Sequence, residues 1–177
     1  EILQENLNLN NIKSNKLIVS NKDANLFILQ SKGFDYIDID PFGPPNKFLD
    51  SSARRLSRRG ILALTATDTS ALCGSFPKAC KRKYWAQPQK NSIMHENALR
   101  ILIRKAQLVA GQYEKALTPI FSYAEKHYVR TFLKCRKGKK RVDEIINQHG
   151  CLKNAGPLWK GNLWDQDLVQ RMFEKCK

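Results

Sequence analysis

The sequence predicts an α/β fold whose parallel strands end in an antiparallel hairpin. Three observations carry that expectation. Strand-like apolar runs at 16–20, 34–40 and 61–67 alternate with helical patterns at short spacing, the signal of right-handed βαβ units. Two further β-rich runs, 117–124 and 127–135, have only a couple of residues between them and should pair antiparallel. The chain has 177 residues, 42% of them hydrophobic, which is enough to bury a core of this kind.

In order along the chain, residues 1–12 place Ile2, Leu3, Leu7, Leu9 and Ile12 at roughly helical spacing. KLIVS at 16–20 is a short apolar run followed by turn residues, and predicts a buried strand. Asp23 is placed to cap a helix that runs through Leu29 and stops at Gly33. FDYIDID at 34–40 alternates, with Phe34, Tyr36, Ile37 and Ile39 as packing positions between acids. PFGPP breaks that strand, and a basic amphipathic helix is predicted over 46–59. Arg54, Arg55, Arg58 and Arg59 lie on one face of it and Gly60 ends it. ILALTAT at 61–67 is another buried strand. Residues 92–113 predict one long helix, with Ile93, Leu99, Ile101, Leu102, Leu108 and Val109 as its apolar stripe. KGKKR at 137–141 reads as a loop, and the pattern changes after Gly150, with Pro157, Trp159 and Trp164 before a helix at 165–176. A domain boundary is therefore expected near 138–150, with 1–140 before it and 141–177 after it. A parallel sheet that closes with an antiparallel hairpin is, among doubly wound folds, the Rossmann-like layout of class I S-adenosylmethionine-dependent methyltransferases.

The formal net charge is +15. Residues 1–50 hold 5 basic and 7 acidic residues, residues 51–141 hold 21 and 4, and residues 142–177 hold 5 of each. The whole excess thus lies in the middle of the chain and predicts a polyanionic partner. No apolar run approaches the roughly 18 to 20 residues that span a bilayer, so no membrane association is expected. The five cysteines are odd in number and form no C-x-x-C pair, and the three histidines are scattered. That spacing does not suit zinc. With no charged-then-apolar leader at its start, the chain reads as a cytoplasmic protein with reduced thiols.

The strongest motif is Asp40-Pro41-Phe42-Gly43-Pro44-Pro45, at the carboxyl end of a predicted strand. Open α/β sheets place their ligands there. An exocyclic aromatic amine is a poor nucleophile because its lone pair is delocalised into the ring. A carboxylate that accepts hydrogen bonds from the NH2 can hold it in the geometry for attack, and an aromatic ring can stack on the base. Proline stiffens such a loop and Gly43 lets a base approach the backbone. Positioning and electrostatics should outweigh strong base catalysis. An ordinary strand-to-helix turn is the bland alternative. Asp23-Ala24 follows another predicted strand, where the acid can accept from an adenine amino group or simply cap a helix. Thr65 to Thr69 leave the third strand. Thr67 can line the pocket, and Asp68 either contacts the base or caps a turn. Lys78, Lys81, Arg82 and Lys83, followed by Tyr84 and Trp85, suit RNA backbone contact with stacking, or form a solvated helix face. Glu96 and Arg100 should form a buried ion pair, and Tyr128 and Arg130 are structural or rim the pocket.

The runs YIDIDPFGPPNKFLD, RRGILALTATDTSALCG, PKACKRKY, HENALRILI and SYAEKHYVR occur together and in order. Together they resemble the tRNA guanine-26 N2-dimethyltransferase family, densely from about residue 20 to 136. AGPLWKGNLWD at 155–165 resembles the start of that family's C-terminal tRNA-binding domain. The resemblance implies S-adenosyl-L-methionine as cofactor, tRNA as partner, and one or two methyl groups placed on the N2 amine of guanine 26. It implies that Asp40 holds the amine, Pro41 shapes the loop, Phe42 stacks on the flipped base, and Asp23 and Ala24 contact the cofactor adenine. The family's glycine-rich cofactor loop should lie before residue 1 and its RNA-binding domain should continue past residue 177. The chain is then the middle of a longer enzyme and should bind the cofactor weakly or not at all alone. Some members carry a cysteine zinc cluster near the domain junction, where this chain has only Cys151, so no zinc is expected. Two other readings stand beside this one: an adenine-N6 or protein-amide methyltransferase, and a non-catalytic basic RNA-binding module.

Overall fold

A computed structural model describes residues 2–12 and 17–176. Its elements are α1 (Ile2–Leu9), α2 (Ala24–Gln30), β1 (Phe34–Ile39), α3 (Asn46–Arg55), β2 (Leu56–Ala66), α4 (Thr69–Leu72) and α5 (Pro77–Tyr84). They continue with α6 (Met94–Gly111), β3 (Lys115–Glu125), β4 (Tyr128–Lys137), α7 (Lys139–Ile146), β5 (His149–Leu152), β6 (Ala155–Trp159) and α8 (Gln166–Lys175).

The main sheet has the order β1-β2-β4-β3. β1 runs parallel to β2, while β4 lies antiparallel to both β2 and β3. The expected hairpin is present, turned by Lys126 and His127 with Lys126 at φ 44°. Pro119 is tolerated because β3 is an edge strand, and its register shifts just beyond that residue. On one face of the sheet Ile37, Ile39, Leu62, Leu64, Leu117, Val129 and Leu133 are buried with Leu99, Leu102 and Ala106 of α6 and Leu49 and Ala53 of α3. Full burial of each such aliphatic chain contributes about 1.5–3 kcal/mol. Ile93 stays outside the long helix as its half-exposed N-cap. The small β5–β6 sheet joins this body through Gln87 and Gly156, which exchange backbone bonds of 2.7 and 2.8 Å. Arg100 strengthens the join by donating to the carbonyls of Trp159 (3.0 Å) and Gly161 (2.8 Å). Ala155, Leu158 and Trp159 share the core with α6.

Four expectations are corrected. Residues 17–20 form no strand, and Leu17, Ile18 and Val19 are exposed. An apolar run becomes a strand only beside a hydrogen-bonding neighbour, and no described strand pairs with it; Lys16 lies outside the described residues. The basic helix stops at Arg55 rather than Arg59, and β2 starts at Leu56. The buried ammonium of Lys115 explains the stop: it donates to the carbonyls of Ala53 (2.7 Å), Arg54 (2.9 Å) and Leu56 (2.6 Å), satisfying the orphan acceptors of the helix end. The expected loop at 137–141 instead starts α7, because Gly138 (φ 148°) turns the chain and Val142 and Ile145 then bury against the core. Tyr36 is half exposed, so the core side of β1 is supplied by Ile37 and Ile39, which are buried, with Phe34 partly buried against the same core.

Candidate functional site

Asp40 follows the last residue of β1, and its carboxylate is exposed. Among the described residues nothing donates to it. Pro41 is half-buried and Phe42 is fully exposed, at 105% of the reference area. A large ring left wholly in water has no folding role, so its side chain is available to a ligand. The loop under it is nonetheless held. The Gly43 amide donates to Thr67 Oγ1 at 2.7 Å, and the Thr67 amide donates to the Gly43 carbonyl at 3.2 Å. Gly43 needs φ +92°, which glycine adopts without strain. The ends of β1 and β2 are thereby stitched together, and Thr67 acts as the brace of the loop.

Asp68 sits one step further. Its carboxylate accepts from the Tyr84 hydroxyl at 2.6 Å and pairs with the Lys83 ammonium at 3.1 Å. Its backbone carbonyl accepts from Ala71 at 3.0 Å and so opens α4. Burial, and then the hydrogen bond to Asp68, raise the Tyr84 hydroxyl well above its ordinary pKa. Tyr84 is fully buried, so it does not stack on a base as the sequence suggested. Lys83 is committed to Asp68, whereas Lys78, Lys81 and Arg82 on α5 are exposed. Trp85 is half exposed, and the Lys105 ammonium lies over its ring.

Asp23 caps α2 by accepting from the Leu26 amide at 2.9 Å, and Ala24 opens the helix, exposed. Asn25 Oδ1 accepts from the Ser51 hydroxyl at 2.7 Å, which ties α2 to the helix that follows the loop. Glu96 and Arg100 pair at 2.9 Å, but Glu96 is exposed, so the pair is not the buried one expected.

A further polar cluster forms around Arg130, and no local sequence pattern marks its other members. The Arg130 guanidinium donates to Asp38 at 2.6 Å and also to the Thr65 hydroxyl. Tyr36 donates to the same Asp38 oxygen at 3.1 Å. These residues are brought together by the pairing β1-β2-β4, in which Thr65 lies opposite Arg130. Burial disfavours the Arg130 charge, but the Asp38 bond and charge outweigh it and raise its pKa. The network fixes the strands that carry the loop.

Among the described residues, no group of three or more His, Cys, Asp or Glu side chains is arranged to hold a metal ion. Cys73 Sγ and His95 Nδ1 lie 3.7 Å apart, a single contact. A cavity of about 690 Å³ lies away from the loop, between the β3–β4 hairpin, α7 and the chain around Trp159 and Trp164. The unspent acid and the exposed ring, not the cavity size, mark the chemistry.

Residues 1–155 match the model of the N2,N2-dimethylguanosine tRNA methyltransferase family. The chain is 38% identical to a tRNA (guanine(26)-N(2)/guanine(27)-N(2))-dimethyltransferase of Aquifex aeolicus, over all of this chain and 53% of that protein. It is 40% identical to a tRNA (guanine(26)-N(2))-dimethyltransferase of Methanocaldococcus jannaschii, over 94% of this chain and 50% of that one. The chain therefore spans about half the length of the curated relatives it matches. It also superposes on Trm1 from Pyrococcus horikoshii, solved with S-adenosyl-L-methionine. The TM-score is 0.83 and the identity 35%, over 88% of this chain and 48% of that one. The fold is a Rossmann-like methyltransferase fold.

Proposed function

The chain belongs to the N2,N2-dimethylguanosine tRNA methyltransferase family, and we propose that in the whole protein it forms the part of the catalytic domain that presents guanine 26 of tRNA for one or two methylations at N2. Residues 1–140 are the catalytic part and residues 141–177 begin the C-terminal tRNA-binding part. The observation that carries this reading is the loop at the end of β1: a free carboxylate at Asp40 and an exposed ring at Phe42, on a backbone braced by Thr67.

The residues present fit a nucleoside cofactor on one side. Asp23 commits one carboxylate oxygen to its own helix and leaves the other for an adenine amino group, beside the Ala24 amide, which has no intrahelical acceptor. S-adenosylmethionine would supply an electrophilic methyl group there. Phe42 stacks on the flipped guanine and Pro41 limits the loop's freedom. Asp40 accepts hydrogen bonds from the N2 amine, which favours the pyramidal geometry in which the lone pair is localised on nitrogen and can face the methyl donor. The amine becomes far more acidic as it gains positive charge, so Asp40 need only receive or relay a proton already weakened. Lys78, Lys81 and Arg82, exposed on α5, meet the phosphates nearest this loop.

The test uses the whole protein, unmodified tRNA and labelled S-adenosylmethionine, followed by digestion to nucleosides. N2-methylguanosine and N2,N2-dimethylguanosine are the expected products. Label on adenine, or none, contradicts the reading.

A further inference from the structure

We propose that the end of the sheet opposite the Asp40 loop is a second phosphate-binding site, which grips the tRNA backbone far from the reacting base. The proposal rests on the reading that the whole protein acts on tRNA. A cavity of about 400 Å³ opens at this end, and Lys32, Arg54, Arg55, Arg58, Lys115 and Lys137 line it. They come from the turn before β1, the end of α3 and the starts or ends of β2, β3 and β4, so the fold, not one charged run, gathers them. Asp35 is the one carboxylate in the lining, and it already accepts from the Ser57 hydroxyl at 2.7 Å.

The six cations are not equivalent. Arg54 pairs with Asp50 at 3.0 Å and Lys115 serves three carbonyls. Arg55 is different: its Nε is buried and has no hydrogen-bond partner. A buried charged donor without an acceptor is strongly disfavoured, and native structures seldom keep one without a reason. Arg55 also lines the cavity, so a phosphate held there comes within reach of its guanidinium. Lys137 and Arg55 also push the Lys115 pKa further down by like charge, after burial has lowered it.

The backbone is shaped for the same end. Phe34 pairs with Leu56, but Tyr36 pairs with Ile61, so β2 carries extra residues over this stretch. The bulge turns Arg58 and Arg59 outward, where both are exposed. Gly60 is required inside it, because a Cβ there would lie 3.0 Å from the Asp35 carbonyl. The length of β1, about 20 Å at roughly 3.3 Å per residue, separates this cavity from Asp40. One nucleotide does not span that length, whereas a folded RNA presents phosphates at both ends. The exposed rim of Arg58 and Lys137 suits a backbone that passes over the cavity rather than a small ion enclosed within it.

The test replaces Arg55→Gln, Arg58→Gln and Lys137→Gln together in the whole protein. The tRNA dissociation constant should rise about 10- to 100-fold at about 0.15 M salt, and the slope of log affinity against log salt should flatten by about 2. S-adenosylmethionine affinity and the methylation rate at saturating tRNA should not change. An unchanged salt slope overturns the proposal. So does a variant that loses inorganic phosphate binding by 31P NMR but keeps wild-type tRNA affinity, which would make the site one for free phosphate. Should the triple variant fail to fold, the exposed pair Arg58→Gln and Lys137→Gln carries the same test, with a slope change of about 1 to 2. Failure of the catalytic reading is distinct: wild type then makes no methylguanosine, whatever the variant does.

Discussion

At the carboxyl end of β1 the chain leaves an acid and an aromatic ring unused, Asp40 and Phe42. At the amino end of the same strand pair it commits a buried lysine, Lys115, to three carbonyls and crowds further cations around it. The first end is cheap for folding and open to a ligand; the second holds the fold together and carries charge besides. The net charge of +15 is therefore a poor guide to where the chemistry lies. Three of its arginines, Arg54, Arg55 and Arg58, line the cavity away from the Asp40 loop, and Arg59 is exposed beside them. The residues that mark that loop carry little charge at all.

If the comparison holds, substitutions at the two ends separate stability from activity. The largest stability loss is expected for Lys115→Met. It strands the carbonyls of Ala53, Arg54 and Leu56 and should lower unfolding free energy by about 2–4 kcal/mol, measured by urea denaturation. A loss below about 1 kcal/mol would show that the lysine is not the stop of α3. Next comes Thr67→Val, which keeps the shape and removes the acceptor for the Gly43 amide. It should cost about 1 kcal/mol of stability and slow methyl transfer about 10-fold, because the loop beneath Phe42 loosens. Equal kinetics for variant and wild type would mean that the backbone bond from Thr67 suffices.

The smallest effect is a pH dependence away from both ends. His149 Nε2 lies 2.8 Å from Gln107 Oε1, and Gln107 in turn donates to the Leu117 carbonyl at 2.9 Å. Burial, and then the charge of Arg104, hold the His149 pKa down at about 4. Its unfolded value is about 6.5. Between those values the unfolded chain binds the extra proton. The stability from neutral His149 is thus complete above about pH 6.5 and is lost as pH falls toward 4. His149→Gln should flatten that part of the curve, seen as a smaller drop in melting temperature between pH 7 and pH 4.5. An identical drop in both proteins would show that carboxylates alone set it.

Much of this was legible in the sequence, for physical reasons that differ by region. The alternation in FDYIDID and the apolar run ILALTAT fixed two strands, and the short gap at 126–127 fixed the hairpin. The motif Asp40 to Pro45 fell where a strand must end, since proline cannot continue a ladder. The failures share a cause: they depend on partners distant in sequence. Nothing local says that Lys115 will stop a helix about 60 residues earlier. Nothing local says that Tyr84 will turn inward to Asp68. KLIVS has the composition of a strand but no described strand beside it. In the sequence Arg130 is one polar residue on a hairpin, because its partners Asp38 and Thr65 arrive on two other strands.

Under the proposed function, Asp40, which has no internal partner among the described residues, holds the guanine amine. Single-turnover methylation by the whole protein carrying Asp40→Ala, at saturating tRNA and S-adenosylmethionine, tests it most directly. The account predicts a rate reduced at least about 100-fold, with the melting temperature and the affinities for tRNA and cofactor near wild type. A variant that methylates at a rate within a few-fold of wild type would contradict it.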